Sequence, residues 1–134
     1  MKRHITVGAI GALFCSIAFT GWHGALAARA AEEPETVVAT FHAKAGTEAA
    51  LAKVIADHFA VARRLNLVLA EPHVTVRMTE GDETAFVDIF TWRDASAPDS
   101  APPAIQTIWA EMAKLTEPRG GKPGIDIVQV TLEK

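Results

Sequence analysis

Five side chains here have the chemistry to bind a ligand or move a proton: His42, His58, His73, Arg77 and Asp88. His58 falls among Leu51, Ile55, Ala62 and Leu65, which recur at helical spacing. An imidazole in that setting has two readings. It is a core histidine held by one hydrogen-bond partner, or a base facing a pocket, since burial and neighbours tune imidazole near neutrality. Between Leu51 and Ala62 it is the one ionisable residue on the stripe, because Lys53 and Asp57 point elsewhere. His42, Arg77 and Asp88 form a second group. They read as an ion pair that fixes register in a dimer, or as a polar cluster that orients a ligand or moves a proton. His58 and Asp88 are therefore the candidate catalytic residues. His42, Arg77, Phe86, Phe90, Trp92 and Trp109 are the candidate pocket residues, the aromatics serving either as core anchors or as the wall of an apolar pocket.

Other chemistries are disfavoured. His42, His73 and Asp88 have the residue types for zinc or iron, but they lack a close-spaced motif and the histidines fall on non-adjacent strands. No metal is expected. A glycine-rich phosphate loop, a nucleophile elbow and a paired-carboxylate signature are all missing from the sequence, and no cofactor is expected.

These residues need elements to position them. Thr36 to Lys44 is rich in β-branched residues and reads as a strand. Gly46-Thr47 marks a turn and a helix cap, and Asn66 a terminator after Arg63 and Arg64. His73 to Met78 and Ala85 to Trp92 read as strands joined by a Gly81-Asp82 hairpin turn. That turn sets Val74 opposite Ile89, Val76 opposite Val87 and Met78 opposite Ala85, all on one face, and Thr75 opposite Asp88 on the other. Pro102-Pro103 opens a second helix carrying Ile105, Ile108, Trp109, Met112 and Leu115, and Gly124 to Leu132 is a last strand.

The order β-α-β-β-α-β predicts a ferredoxin-like α+β fold, a four-stranded antiparallel sheet with both helices on one face. The helices are expected on the cleaner apolar face: Val37, Ala39 and Phe41 with Val74, Val76, Met78, Val87, Ile89, Val128 and Val130. The opposite face would then hold Val38, Thr40, His42, His73, Thr75, Arg77, Phe86, Asp88, Phe90, Trp92, Ile125, Ile127 and Gln129. That face is too apolar to meet water alone, so a second copy of the sheet is expected to cover it.

The 134 residues allow one domain, and the formal net charge of −3 argues against a nucleic-acid partner. A single cysteine excludes a disulfide scaffold. Lys2, Arg3 and His4 precede an apolar stretch from Val7 to Thr20, and Ala25-Leu26-Ala27 and Ala28-Arg29-Ala30 follow. This reads as a secretory signal peptide over 1–30, removed after Ala27 or Ala30. Glycines and His23 dilute the run, which disfavours a membrane anchor. The remaining 31–134 would be a single cysteine-free domain of charge −6, from 10 Lys+Arg against 16 Asp+Glu, exported to the periplasm or beyond.

Over about residues 36–132 the chain resembles the dimeric α+β barrel superfamily, and within it small proteins of the antibiotic biosynthesis monooxygenase type. The element order, the strand end Val87-Asp88-Ile89-Phe90-Thr91-Trp92-Arg93 and the helix Ile105 to Met112 carry the likeness. The resemblance implies a homodimer through the sheet and a pocket for a small molecule. Its known members include cofactor-free oxygenases of aromatic polyketides and haem-degrading enzymes. The latter carry a histidine on the second helix, and residues 102–117 contain none. The implied function is binding, or oxidation without a cofactor, of an aromatic or lipophilic compound. The alternative is an exported dimeric module without chemistry.

Overall fold

A computed structural model describes residues 32–134 of the chain. The expected signal peptide lies outside the described residues. Six main elements follow in order: β1 (Glu35–His42), α1 (Glu48–Arg64), β2 (Val74–Glu80), β3 (Glu83–Trp92), α2 (Pro103–Leu115) and β4 (Ile125–Val130). A 3-10 turn at Ala97–Ser100 lies between β3 and α2. The strands form one antiparallel sheet in the order β2-β3-β1-β4. This is the expected ferredoxin-like α+β arrangement. Among the described residues no helix is long and apolar enough to cross a membrane.

Local chemistry sets the boundaries. Helix α1 buries Leu51, Ile55, His58 and Ala62, a stripe at helical spacing. Thr47 stands at its N-cap, but the hydroxyl donates to the carbonyls of Lys44 (2.8 Å) and Leu115 (2.9 Å). It ties the start of α1 to the end of α2 rather than capping α1. Asn66 takes φ of 60°, and the Leu67 N–H reaches back to the Ala62 carbonyl, which ends α1. In the β2–β3 hairpin the left-handed φ falls on Gly81, at 59°. The register is the expected one: Val74 faces Ile89, Val76 faces Val87, Met78 faces Ala85 and Thr75 faces Asp88.

The expected assignment of faces is corrected by the β1–β3 register. Val37 pairs with Phe90, Ala39 with Asp88 and Phe41 with Phe86. On β4, Ile127 pairs with Ala39 and Ile125 with Phe41. So Val37, Ala39 and Phe41 share a face with Phe86, Asp88, Phe90, Trp92, Ile125 and Ile127. The helices cover this aromatic face, not the aliphatic one. Buried there are Val37, Ala39, Phe41, Phe86, Phe90 and Trp92, packed on Leu51, Ile55, Ala62, Ile105 and Met112. The bare face carries Val38, Thr40 and His42 with Val74, Val76, Met78, Ala85, Val87, Ile89, Val128 and Val130. The connection between α1 and β2 also joins the core: Val68 is fully buried and bridges to Trp92.

Candidate functional site

Helix α1 sets His58 against the aromatic end of the covered face. Its ring lies 5.6 Å from Phe90, 6.0 Å from Trp92 and 6.3 Å from Trp109, centroid to centroid. From α2, the Trp109 indole N–H donates to His58 Nε2 at 3.1 Å. An indole nitrogen can only donate, so Nε2 is the unprotonated nitrogen and the proton of the neutral ring sits on Nδ1. Burial, with a smaller contribution from the charge of His73, pushes the His58 pKa down to about 4. His58 is therefore a neutral imidazole at neutral pH.

Beside this pair lies a cavity of about 410 Å³. Its walls come from β1 (Glu35, Val37, Ala39, Phe41), β3 (Phe90, Trp92), β4 (Ile125, Ile127), α1 (His58), α2 (Trp109, Met112) and the 3-10 turn (Pro98). Ile127, 61% exposed on the edge strand, marks an open side. The size and apolar lining are those of a small-molecule site.

Four sequence-predicted residues meet at this cavity: His58, Phe90, Trp92 and Trp109. The others do not. Phe86 is buried in the core between Phe41 and the helices. Arg77 is exposed on edge strand β2, its guanidinium 5.6 Å from the Phe86 ring centre. His42 is on the bare face, so it does not share a face with Arg77 and Asp88 as expected. That separation also keeps His42, His73 and Asp88 from converging on one ion.

Asp88, itself buried, anchors a separate cluster. Oδ1 accepts from the Thr75 hydroxyl at 2.7 Å and lies 3.1 Å from His73 Nε2. His73 in turn stacks flat on Phe59, with centroids 3.4 Å apart. Oδ2 is buried without a hydrogen-bond partner among the described residues. Burial raises the Asp88 pKa, against the opposing pull of the Thr75 hydrogen bond and of His73.

Sequence reasoning missed Glu35, Val37, Ala39, Phe41, Pro98, Met112, Ile125 and Ile127 as cavity residues. The β1–β3 register would have found most of them, because it carries β1 onto the aromatic face.

No family model and no curated protein matches the sequence. Solved structures do match in fold. SnoaB, a cofactor-independent oxygenase from Streptomyces nogalater, superposes with a TM-score of 0.57 at 19% identity, over 76% of this chain and 95% of that one. Protein SO0527 from Shewanella oneidensis gives 0.55 at 20% identity, over 74% and 90%. Rv0793 from Mycobacterium tuberculosis gives 0.56 at 14% identity, over 76% and 97%. The chain has the fold of these dimeric α+β barrel proteins.

Proposed function

We propose that this chain, with the fold of a cofactor-independent oxygenase, binds a flat, largely apolar small molecule in the cavity beneath its helices. The observation that carries this reading is the His58–Trp109 pair in a wall whose other side chains, Glu35 apart, are apolar. With Nε2 engaged by Trp109, His58 offers Nδ1–H as a donor, and no acceptor for it is found among the described residues. A carbonyl or phenol oxygen on an aromatic skeleton supplies one. Such a hydrogen bond, made out of water, orients the ligand while the rings of Phe90, Trp92 and Trp109 take up its faces.

Oxidation by dioxygen is the reaction to test on top of binding. A phenol that loses its proton becomes an electron-rich anion able to reduce dioxygen. For His58 to take that proton it must first release the Trp109 N–H, since its one lone pair is engaged. His58→Gln separates the roles. A ligand-binding role predicts near-normal melting with hydroxynaphthalene affinity reduced about tenfold or more. A purely structural role predicts lower melting with affinity unchanged. Oxygen consumption with the same compound tests turnover, and none by the wild type would leave binding as the function.

The chain is further proposed to act outside the cytoplasm, as a dimer through the bare sheet face. Intact mass of the exported protein tests the first point, and a mature product that retains Cys15 would sink it.

A further inference from the structure

The cavity spans two packed clusters of the core. Val37, Phe90 and Trp92 belong to one, and Ala39, Phe41 and Met112 to the other, with Trp109 packed against both. His58 lies with the first cluster, against Phe90 and Trp92. Val37 and Phe41 stand four residues apart on one strand, which puts about 13 Å of wall between them. Midway comes Ala39, the smallest side chain in the wall, set between Asp88 on β3 and Ile127 on β4. Beyond it stand Phe41, its neighbour Ile125 on β4, and Met112 of α2, all apolar.

Volume sets the scale. A dry apolar cavity of about 150 Å³ holds one benzene ring, and truncating a buried leucine to alanine opens a space of that order. The 410 Å³ here is room for roughly two to three such rings. A leucine in place of Ala39 would take up about one ring's share of it. At a cavity wall the added methyl groups enter open space instead of overpacking a filled core. An alanine at this point therefore keeps the His58 end and the Phe41 end joined.

We infer that Ala39 sets the length of ligand the cavity accepts, by joining an end that reads an oxygen, at His58, to an end that reads only apolar bulk. This deepens the small-molecule reading above and rests on it. The ligand class becomes an elongated skeleton with its oxygen at the His58 end and no polar substituent at the other. A hydroxyl at the Phe41 end would lose its water and find no polar side chain among the described residues of that wall. A shorter ligand leaves the Phe41 end unfilled and forgoes the burial of a further ring.

Three probes test the length and the polarity of the two ends: 2-hydroxynaphthalene, 2-hydroxyanthracene and 2,6-dihydroxyanthracene, bound to the purified protein by equilibrium dialysis under nitrogen at pH 7. The wild type should bind 2-hydroxyanthracene about tenfold more tightly than 2-hydroxynaphthalene, and about tenfold more tightly than the diol. Ala39→Leu should abolish the gain from the third ring and leave 2-hydroxynaphthalene within about twofold of the wild type, which also shows that the variant is folded. Ala39→Val should lose part of the gain, and it carries the same comparison should the leucine variant not fold. If the wild type binds 2-hydroxynaphthalene and gains nothing from the longer probe, the small-molecule reading stands and this inference falls. A gain that survives both substitutions, or a loss that both monohydroxy probes share equally, overturns the role of Ala39. A diol that binds as well as 2-hydroxyanthracene overturns the apolar reading of the Phe41 end. If the wild type binds none of the three, the small-molecule reading falls and takes this inference with it.

Discussion

On the covered face of the sheet, Phe86, Phe90 and Trp92 are 4–5% exposed; on the bare face, Val74, Val76, Met78 and Val128 are 45–53% exposed. Both faces are apolar, but they differ in shape. Large rings standing on alternate residues of β3 leave gaps that the helices do not close, and one gap is the cavity beside His58. Short branched chains make a smoother surface, which suits a second sheet about 10 Å away. Aromatic content thus goes with a cavity, and aliphatic content with a bare, smooth face.

The largest effects should come from placing one charge on each face. Phe90→Asp buries a carboxylate among His58, Trp92 and Val37 and removes a ring, so it should lower stability by about 3–5 kcal/mol and leave little folded protein. Val76→Asp adds a charge at an exposed position and should cost under about 0.5 kcal/mol in the protomer. Its expected effect is on association: a folded monomer where the wild type sediments as a dimer. Far-UV circular dichroism and sedimentation velocity read the two outcomes. A wild type that is a folded monomer at micromolar concentration would refute pairing through the bare face.

The reason the sequence assigns these faces wrongly is visible in single residues. The hairpin is local, and Gly81-Asp82 fixes its register without any knowledge of the rest. Helix α1 is legible for the same reason, from Leu51, Ile55 and Ala62. The pairing of β1 with β3 joins residues about fifty positions apart, and nothing near Val37 says whether it stands beside Phe90 or beside Ile89. A one-residue choice there moved His42 away from Arg77 and Asp88 and brought Phe41 into the cavity. His58, Phe90, Trp92 and Trp109 were legible as candidates because each shows as a chemically distinctive side chain on a periodic apolar stripe. Glu35 was not, because one acid after Glu32-Glu33-Pro34 looks like part of a solvated leader.

A second comparison lies within the covered face, between two buried titratable groups. His58 is held neutral, with a pKa near 4 against an ordinary 6.5. Between these values the unfolded chain binds the proton and the folded chain does not, so stability rises with pH across the window and is lost on acidification. The shift corresponds to roughly 3 kcal/mol between pH 7 and pH 4. Asp88 has the opposite sign. Its raised pKa means the folded state binds a proton more readily, so its contribution falls as pH rises through that raised value. Asp88→Asn should therefore leave a steeper loss of melting temperature on acidification below about pH 6.5. His58→Gln should flatten it. A His58→Gln profile as steep as that of the wild type would mean that His58 is not the group responsible.

The smallest effect is expected at the His58–Trp109 hydrogen bond itself, and it sharpens what His58 can do. Trp109→Phe keeps an aromatic ring but removes the N–H that binds Nε2 at 3.1 Å. The lost hydrogen bond is worth about 1 kcal/mol. That bond stabilises the neutral ring, because a protonated Nε2 could not accept it. Removing it should raise the His58 pKa from about 4 toward its ordinary value, which an NMR titration of the imidazole C–H signals reads directly. It also frees a lone pair facing the cavity side of α2. A donor role for Nδ1–H predicts little change in the binding of a hydroxynaphthalene. A base role predicts faster deprotonation of that compound, seen as oxygen uptake that the wild type performs more slowly or not at all. An unmoved pKa would show that Trp109 does not hold the tautomer, and that the neutral state of His58 is set by burial alone.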